Sequence, residues 1–161
     1  MQIAHRYDLT PTGLLAVLVD PAFLAARSAR YGGVGSPMAA RAGDELEVRT
    51  VRQLPLDRVP GPFRRFVGDG RVEQVDVWPA DGGPDEGVVT GRWWLETGRA
   101  PIDLNGRHLV TADGAGCSYV ASAEIRVSVP VVAGRLSRQV ESYLGQLITA
   151  EQKFLAEWLA A

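Results

Sequence analysis

The C-terminal end of the chain has the most regular pattern of apolar positions. From about residue 132 to residue 159, apolar side chains recur every three or four residues, which predicts one amphipathic helix. Its apolar stripe consists of Leu136, Val140, Tyr143, Leu144, Leu147, Ile148, Phe154, Leu155 and Trp158. At 1.5 Å per residue this helix is about 40 Å long, enough to cross a whole sheet. We expect Pro130 to end the preceding strand and a bend near Gly134 to lead into the helix.

Several segments before this helix alternate between apolar and polar residues with a period of two, as β-strands do. The predicted strands cover residues 2–9, 37–42, 45–54, 71–78, 88–97, 101–112 and 116–129. The last two form the clearest hairpin, and we expect a bulge or kink at Gly106 in the first of them. The second has one apolar and one mostly polar face, which predicts an antiparallel sheet covered on one side.

Two short helices are predicted between the first and second strands. Thr10 and Asp20 are suitable N-caps, and each is followed by a proline at the first helical position. Two glycines, Gly32 and Gly33, are expected to end the second helix. Farther along, the proline-rich segment 55–70 is expected to form a short helix or an ordered loop under the sheet.

Composition places the chain among ordinary globular proteins and limits its partners. The 161 residues are most simply one domain, spanning 1–161, with 46% hydrophobic and 22% charged residues. A net charge of −2 without charge runs gives no reason to expect nucleic acid or an anionic membrane surface as a partner. Neither a signal peptide nor an apolar run of about 20 residues is found, so we expect a cytoplasmic protein without integral membrane association. The only cysteine, Cys117, excludes a disulfide framework, and no cofactor is expected.

Three segments carry a resemblance to a known superfamily. "LAVLVDPAFLAAR" resembles the beginning of the second helix in START-like proteins, the SRPBCC superfamily of polyketide cyclases and lipid-transfer proteins. "PGPFRRFVGDGRVEQVDVW", and the end of the chain from "VSVPVVAGRLSRQVESYL" to "AEQKFLAEWL", are similar to a family within it, domain of unknown function 2505. The resemblance covers essentially the whole chain. One departure is "GRLSRQVE", which lacks the acidic residue expected in the first helical turn.

The resemblance implies an α+β helix-grip fold. In that fold a curved antiparallel sheet of roughly six to seven strands wraps around a long C-terminal helix, and two short helices follow strand one. It also implies a ligand, a hydrophobic small molecule or lipid, in a cavity between the sheet and that helix. Our candidates for the cavity wall are His5, Tyr7, Asp76, Trp78, Trp93, His108, Tyr119, Tyr143 and Leu147. An interior filled by side chains is an equally open alternative.

The chain has none of the usual catalytic signatures, such as GxSxG, HExxH or a glycine-rich loop that ends in Lys-Ser. Its two histidines, His5 and His108, lie on the apolar faces of their strands. If both face inward, they would meet across the cavity as a base and a polarising group. We favour the alternative in which each is half-buried with a backbone partner. Nothing in their spacing from Asp76 supports a metal site.

One carboxylate is predicted to face the interior of the sheet. Asp76 shares a strand face with Trp78, and Trp93 lies on the next strand. An isolated carboxylate beside two indoles would have a raised pKa and would act as an acid. We favour the alternative in which Asp76 pairs with Arg52 or Arg92 and anchors the sheet.

Three functions are open from the sequence. The first is a module that binds a hydrophobic small molecule or lipid. The second is a cyclase- or dehydratase-like enzyme that uses a cavity His or Asp. The third is a protein-interaction module with a filled core, for which Trp94 on the outer face of the sheet would supply a contact surface. A homodimer is compatible with each.

Overall fold

A computed structural model of the chain describes residues 1–59, 61–84, 87–129 and 133–161. The strands in these ranges are β1 (Gln2–Tyr7), β2 (Met38–Ala42), β3 (Glu45–Gln53), β4 (Arg71–Pro79), β5 (Val88–Glu96), β6 (Ile102–Asp113) and β7 (Gly116–Val127). The helices are α1 (Pro11–Leu18), α2 (Pro21–Arg30), α3 (Gly61–Val67), α4 (Ala133–Ala160) and a short 3-10 helix, Leu56–Arg58. Each predicted strand and helix is therefore present, with ends that differ by a few residues.

The strands form one sheet in the order β1-β7-β6-β5-β4-β3-β2. All neighbouring strands are antiparallel, so β1 and β2 are the edges and β5 lies at the centre. Helix α4 contains 28 residues and is therefore about 42 Å long. It packs on the curved sheet, and α1 and α2 close the sheet at one end. The predicted α+β helix-grip fold is confirmed.

The two short helices begin where their capping residues predict. Thr10 accepts a hydrogen bond on Oγ1 from the backbone of Gly13, 3.1 Å away. Asp20 accepts two on Oδ1, from the backbone N–H groups of Ala22 and Phe23 at 2.9 and 3.0 Å. Such caps satisfy backbone donors that have no partner within the helix and stabilise it by about 1 kcal/mol each. They fix the start of α2, which carries Arg27 towards the sheet.

Buried apolar side chains separate into two clusters along α4. The larger lies under α1, α2 and the C-terminal half of α4, and it comprises Tyr7, Leu14, Leu15, Leu18, Phe23, Trp78, Val89, Val110, Cys117, Tyr119, Ala121 and Leu155. The smaller lies nearer the N-terminal half of α4 and comprises Trp93, Leu104, Ala123 and Leu144. The space described below lies between and beside these clusters.

The expected bulge at Gly106 is wrong. The pairing of β6 with β7 runs without interruption, and Gly106 lies opposite Ala123. A side chain at position 106 would instead collide with the Ser122 carbonyl oxygen, and its Cβ would lie 2.5 Å from Nε1 of Trp93. The glycine is therefore required by the indole of the neighbouring strand that lies against it.

Other expectations concern the segments around α3 and α4. The segment 55–70 contains the predicted short helix, α3. Pro130 lies outside the described residues, and Gly134 belongs to the first turn of α4. Within the described residues no single helix has both the length and the apolar character to cross a membrane; one bent pair, α1 with α2, meets those requirements across a 62° bend.

Candidate functional site

A cavity of about 80 Å³ lies between the concave face of the sheet and α4. Apolar side chains from the sheet, α1, α2 and α4 form much of its wall, among them Trp93, Leu144, Leu147 and Ile148. The wall also contains a group of polar side chains: Arg27, Arg52, Gln74, Asp76, His108, Tyr119 and Glu151. The interior is therefore neither filled by side chains nor wholly apolar.

Asp76 is the centre of the polar group. It is only 3% exposed, yet its carboxylate has three partners. Nε2 of Gln74 donates to both oxygens at 3.1 and 2.9 Å, and Nε2 of His108 lies 3.0 Å from Oδ1. Nη2 of Arg27 lies 3.8 Å from Oδ2, an ion pair longer than a hydrogen bond. Every oxygen of the buried carboxylate is thus compensated.

His108 connects Asp76 with Tyr119. The phenol oxygen of Tyr119 is 3.0 Å from Nδ1 of His108, and the imidazole stacks on Trp78 with ring centroids 4.6 Å apart. A carboxylate only accepts hydrogen bonds, so Nε2 of His108 carries the proton. When the ring carries this one proton, Nδ1 accepts the hydrogen bond of the Tyr119 hydroxyl. Burial raises the pKa of Tyr119, and the Asp76 charge adds to this, which keeps the phenol protonated as the donor.

Two glycines on neighbouring strands make room for the indoles of this site. A Cβ on Gly91 would lie 2.7 Å from the Trp78 ring, as one on Gly106 would crowd Trp93. Trp93 in turn donates from Nε1 to the carbonyl of Ser122 at 3.0 Å. These contacts place the two rings close to the backbone of the neighbouring strands, and Trp78 stacks on His108.

Arg52 extends the network to the helices. It donates to Gln74 at 2.7 Å, to the carbonyl of Tyr31 at 3.1 Å and to Glu151 on α4 at 2.6 Å. Burial disfavours the charge of this guanidinium, but the Glu151 carboxylate more than offsets this and raises the pKa of Arg52. One cation therefore joins the end of α2, two strands and α4.

Helix α4 is joined to other elements by side-chain hydrogen bonds at one turn, Ala150–Gln152. Among the described residues, all such hydrogen bonds of α4 lie there. Tyr31 donates to the carbonyl of Ala150 at 2.9 Å, and Tyr7 donates to the carbonyl of Gln152 at 2.9 Å. Nε2 of Gln152 donates to the carbonyl of Ile3 at 3.2 Å, and Arg52 binds Glu151 as described above. We call this segment the fixed turn of α4.

The idea that Asp76 is an acid with a raised pKa is wrong. Burial alone would raise the pKa of Asp76, but the hydrogen bond from His108, the charge of Arg27 and the Gln74 hydrogen bonds together lower it below its ordinary value. The carboxylate is therefore ionised. The partners expected for it also differ: Arg52 reaches it only through Gln74, and Arg92 binds Glu45 on the outer face.

Three buried side-chain atoms have no hydrogen-bond partner among the described residues, Arg27 Nε, Ser28 Oγ and Thr50 Oγ1, and only Arg27 belongs to the cavity wall. Its side chain is 11% exposed, and its Nε is buried without a hydrogen-bond partner among the described residues. Buried donors are nearly always paired in folded proteins. Since Nε has almost no accessible surface, an acceptor in the cavity would meet the Nη groups of this guanidinium, of which Nη2 lies 3.8 Å from Asp76.

The structure brings six of the nine predicted wall residues to the cavity: Asp76, Trp93, His108, Tyr119, Tyr143 and Leu147. Trp78 stacks behind His108, and Tyr7 is buried in the larger apolar cluster, with its hydroxyl on the fixed turn. His5 pairs with Tyr119 across the two strands, but β1 is an edge and the His5 ring is exposed. The two histidines therefore do not meet. His108 is also fully buried with side-chain partners, so the expected backbone partner is wrong for it.

Sequence reasoning missed Arg27, Arg52 and Glu151 as wall residues. A signal existed for two of them, since charged residues interrupt apolar stripes at helical spacing. Arg27 follows Phe23 by four positions on α2, and Glu151 stands between Ile148 and Leu155 on α4. A charge on the buried face of a helix requires a partner. Here Arg27 pairs with Asp76, and Glu151 pairs with Arg52.

An apolar cleft adjoins the cavity beside the N-terminal half of α4. Its volume is about 400 Å³, and α4, the ends of β5 and β6 and the segment after β3 form its wall. Five wall residues are shared with the cavity: Leu54, Val72, Leu95, Tyr143 and Leu144. The cleft and the cavity are therefore neighbours with a shared wall, the cleft mostly apolar and the cavity partly polar.

The described residues contain no cluster of three His, Cys, Asp or Glu side chains suited to a metal ion. Solved structures with the same architecture include TTHA0849 from Thermus thermophilus, with a TM-score of 0.64 and 16% identity over 98% of this chain and 94% of that one. The ZhuI aromatase/cyclase from Streptomyces sp. R1128 matches with a TM-score of 0.57 and 11% identity over 98% and 92% of the two chains. A START superfamily protein from Mycobacterium smegmatis matches with a TM-score of 0.57 and 9% identity over 99% and 97%. At these identities the likeness establishes a START-like fold.

Curated relatives found by sequence include two mycobacterial proteins that are described as uncharacterised. The protein Rv0481c of Mycobacterium tuberculosis H37Rv is 28% identical over 160 residues, which covers 96% of this chain and 85% of the relative. The protein Mb0491c of Mycobacterium bovis matches to the same extent. The model of one family, described as "Protein of unknown function (DUF2505)", matches residues 2–159. The chain therefore belongs to the DUF2505 family.

Proposed function

We propose that this protein binds a hydrophobic small molecule or lipid between the sheet and α4. The apolar body of the ligand lies in the cleft, and its polar end reaches the wall of the inner cavity. The observation that carries the proposal is the cavity with its adjoining apolar cleft, because Arg27 on the cavity wall makes no hydrogen bond with the described residues and approaches Asp76 only to 3.8 Å.

The combined size of the cavity and the cleft supports a ligand of this kind. Small-molecule sites typically occupy about 300–1,000 Å³, are mostly apolar and contain a few fixed polar groups. The cavity alone, at about 80 Å³, holds only the end of such a ligand. The cleft of about 400 Å³ supplies the remaining volume. Trp93, Leu144 and Leu147 offer the apolar contacts.

The polar network supports binding more than proton transfer. Both nitrogens of His108 are occupied, one by Asp76 and one by Tyr119. Gln74 binds both oxygens of Asp76 in addition. Groups held in this way give a rigid wall, and they would have to release a partner before they could exchange a proton with a ligand. The START-like fold of the aromatase/cyclase and START superfamily structures agrees with a ligand site in this place by analogy.

The first test uses N-phenyl-1-naphthylamine, an uncharged apolar dye whose fluorescence rises when it is bound. Ala121 lies on the cavity wall, so Ala121→Leu fills part of the site. We expect it to weaken dye binding by about tenfold or more, which corresponds to about 1.4 kcal/mol. Val120→Leu is the matched control, because Val120 precedes Ala121 on β7 and faces the opposite side. Equal affinities of both variants and the unchanged protein would contradict the proposed site.

The second test examines the protein purified from its own host by native mass spectrometry. A retained adduct in the mass range of lipids or apolar metabolites is expected, and Ala121→Leu should reduce its amount. A bare mass in native spectra, combined with no dye binding, would remove the proposal.

A cyclase- or dehydratase-like enzyme is the second candidate. The observation in its favour is the linear arrangement Tyr119–His108–Asp76, in which an ionised carboxylate polarises an imidazole. Such a site would remove a proton from the carbon beside a ligand carbonyl and return one from solvent. Deuterium exchange of a bound methyl ketone in D₂O, followed by proton NMR, tests this directly. The enzyme alternative predicts accelerated exchange that is lost in His108→Asn and kept in Glu45→Gln on the outer face. Exchange at the uncatalysed rate would exclude it.

The interaction module was the third candidate, and it presupposed a filled core. The cavity between the sheet and α4 argues against a completely filled core. The outer surface of the sheet, where Trp94 is half-buried, has no feature among the described residues that specifies a partner.

A further inference from the structure

We infer that the polar end of the ligand is an uncharged carbonyl oxygen that accepts a hydrogen bond from Arg27. This inference rests on the proposed ligand site and specifies the chemical class that the site takes: apolar compounds with a ketone or ester group, as opposed to free carboxylic acids or amines.

The donor is the first step. Arg27 lies on the cavity wall, and no hydrogen bond joins its guanidinium to another described residue. The nearest anion, Asp76, lies 3.8 Å from Nη2, which is longer than a hydrogen bond. A guanidinium only donates hydrogen bonds. The group that completes it must therefore be an acceptor.

The charge of the cavity wall decides which acceptor fits. The wall contains two cations, Arg27 and Arg52, and two carboxylates, Asp76 and Glu151. Arg52 and Glu151 pair with each other at 2.6 Å, and Arg27 is the cation nearest to Asp76. Each of these four charges therefore has an opposite charge as its partner before any ligand arrives.

A negatively charged ligand would disturb this pairing of charges. A ligand carboxylate on Arg27 would lie close to Asp76 and would share one cation with it, at a place where water provides little screening. An ammonium group would face Arg27 itself. A carbonyl oxygen accepts the N–H without adding a charge, so it gains the hydrogen bond and avoids the repulsion.

The test compares three probes with the same naphthalene body. These are 2-acetylnaphthalene, which has a carbonyl, 2-ethylnaphthalene, which has neither carbonyl nor charge, and 2-naphthoate, which is an anion at pH 7. Each competes with N-phenyl-1-naphthylamine for the site. We expect the ketone to bind about tenfold more tightly than the hydrocarbon and about tenfold more tightly than the carboxylate.

Substitution of Arg27 shows whether this residue is responsible. In Arg27→Met, which keeps an apolar stem, the ketone should bind no better than 2-ethylnaphthalene, whose own affinity should not change. Arg30→Met is the matched control, because Arg30 lies on the same helix and is exposed. It should leave all three affinities unaltered.

Infrared spectroscopy of the unchanged protein gives a second readout, which does not depend on how Arg27→Met folds. The carbonyl stretch of bound, ¹³C-labelled 2-acetylnaphthalene should lie at a lower wavenumber than in hexane, as a hydrogen-bonded carbonyl does. An unshifted band, or carboxylate binding as tight as ketone binding, would overturn the inference and leave the proposed ligand site intact. Failure of all three probes and of the dye to bind would overturn the proposed function itself.

Discussion

The two faces of the sheet carry the same kinds of charged residues in opposite surroundings. On the outer face, Arg92 donates two hydrogen bonds to Glu45 at 2.6 and 2.8 Å, while the two side chains remain 54% and 46% exposed. On the inner face, Arg27 and Asp76 are 3.8 Å apart, and their side chains are only 11% and 5% exposed. The shorter and better-aligned pair is the one in water.

This difference shows that the distance and alignment of an ion pair do not by themselves indicate how much the protein depends on it. Solvent screens the outer pair, and holding two long side chains in place opposes its small gain. On the inner face each charge depends on its partners, because a buried charge that loses them has no water to replace them. The inner network is therefore the part of the protein that is most sensitive to the loss of one partner, and it is also the part that we propose contacts the ligand.

The largest effect is expected from removal of the inner carboxylate. Asp76→Ala leaves Arg27, His108 and Gln74 without their common acceptor and should lower the free energy of unfolding by about 3–5 kcal/mol. Urea denaturation followed by tryptophan fluorescence measures this. Glu45→Ala, on the outer face, is the matched change and should alter the midpoint little. Equal losses in the two variants would refute the contrast between the faces.

A medium effect is expected where the inner face has no space for a side chain. Gly106→Ala places a Cβ against the Ser122 carbonyl and the Trp93 indole, so the ring or the strand must move. The free energy of unfolding should fall by about 1–3 kcal/mol, and the tryptophan emission should shift. Gly134→Ala in α4 is the control, since among the described residues its Cβ would meet only Arg138, at 3.8 Å. The control should be neutral or slightly stabilising.

The smallest effect is the contribution of Asp76 to the pH dependence of stability. Its folded pKa is lowered from the ordinary value of 3.8, so the carboxylate stabilises the fold above that pH and loses this contribution as the pH falls through the folded pKa. The slope that it adds below about pH 4 is at most about 1.4 kcal/mol per pH unit. Comparison of urea midpoints from about pH 6 to about pH 2 in the unchanged protein and in Asp76→Asn isolates it. Parallel curves for the two proteins would show that the folded pKa is not lowered.

Local patterns predicted the elements of this fold well, because each depends on nearby residues. The stripe along α4 and the caps at Thr10 and Asp20 are read from spacings within one helix. The alternation along β7 showed which face is covered. None of these features required knowledge of which strands are neighbours.

The errors concern features that depend on neighbours distant in sequence. His5 and His108 have similar local patterns, but one lies on the edge strand β1 and the other on the interior strand β6. Gly106 suggested a bulge because the indole that requires it, Trp93, belongs to another strand. Arg27 was not among the candidates, and its partner, Asp76, lies far along the chain on β4. Site chemistry in this protein arises from pairing that local sequence does not encode.

The fixed turn of α4 attaches the long helix to the rest of the protein at one point along its length. Three helix–strand or helix–helix connections, from Tyr7, Tyr31 and Arg52, hold Ala150–Gln152 in place. The N-terminal half beside the cleft rests on apolar side chains, which resist sliding weakly because their contacts have no direction. If the proposed ligand separates the N-terminal half of α4 from the sheet, we expect that half to move while the hydrogen bonds of the fixed turn keep Ala150–Gln152 in place.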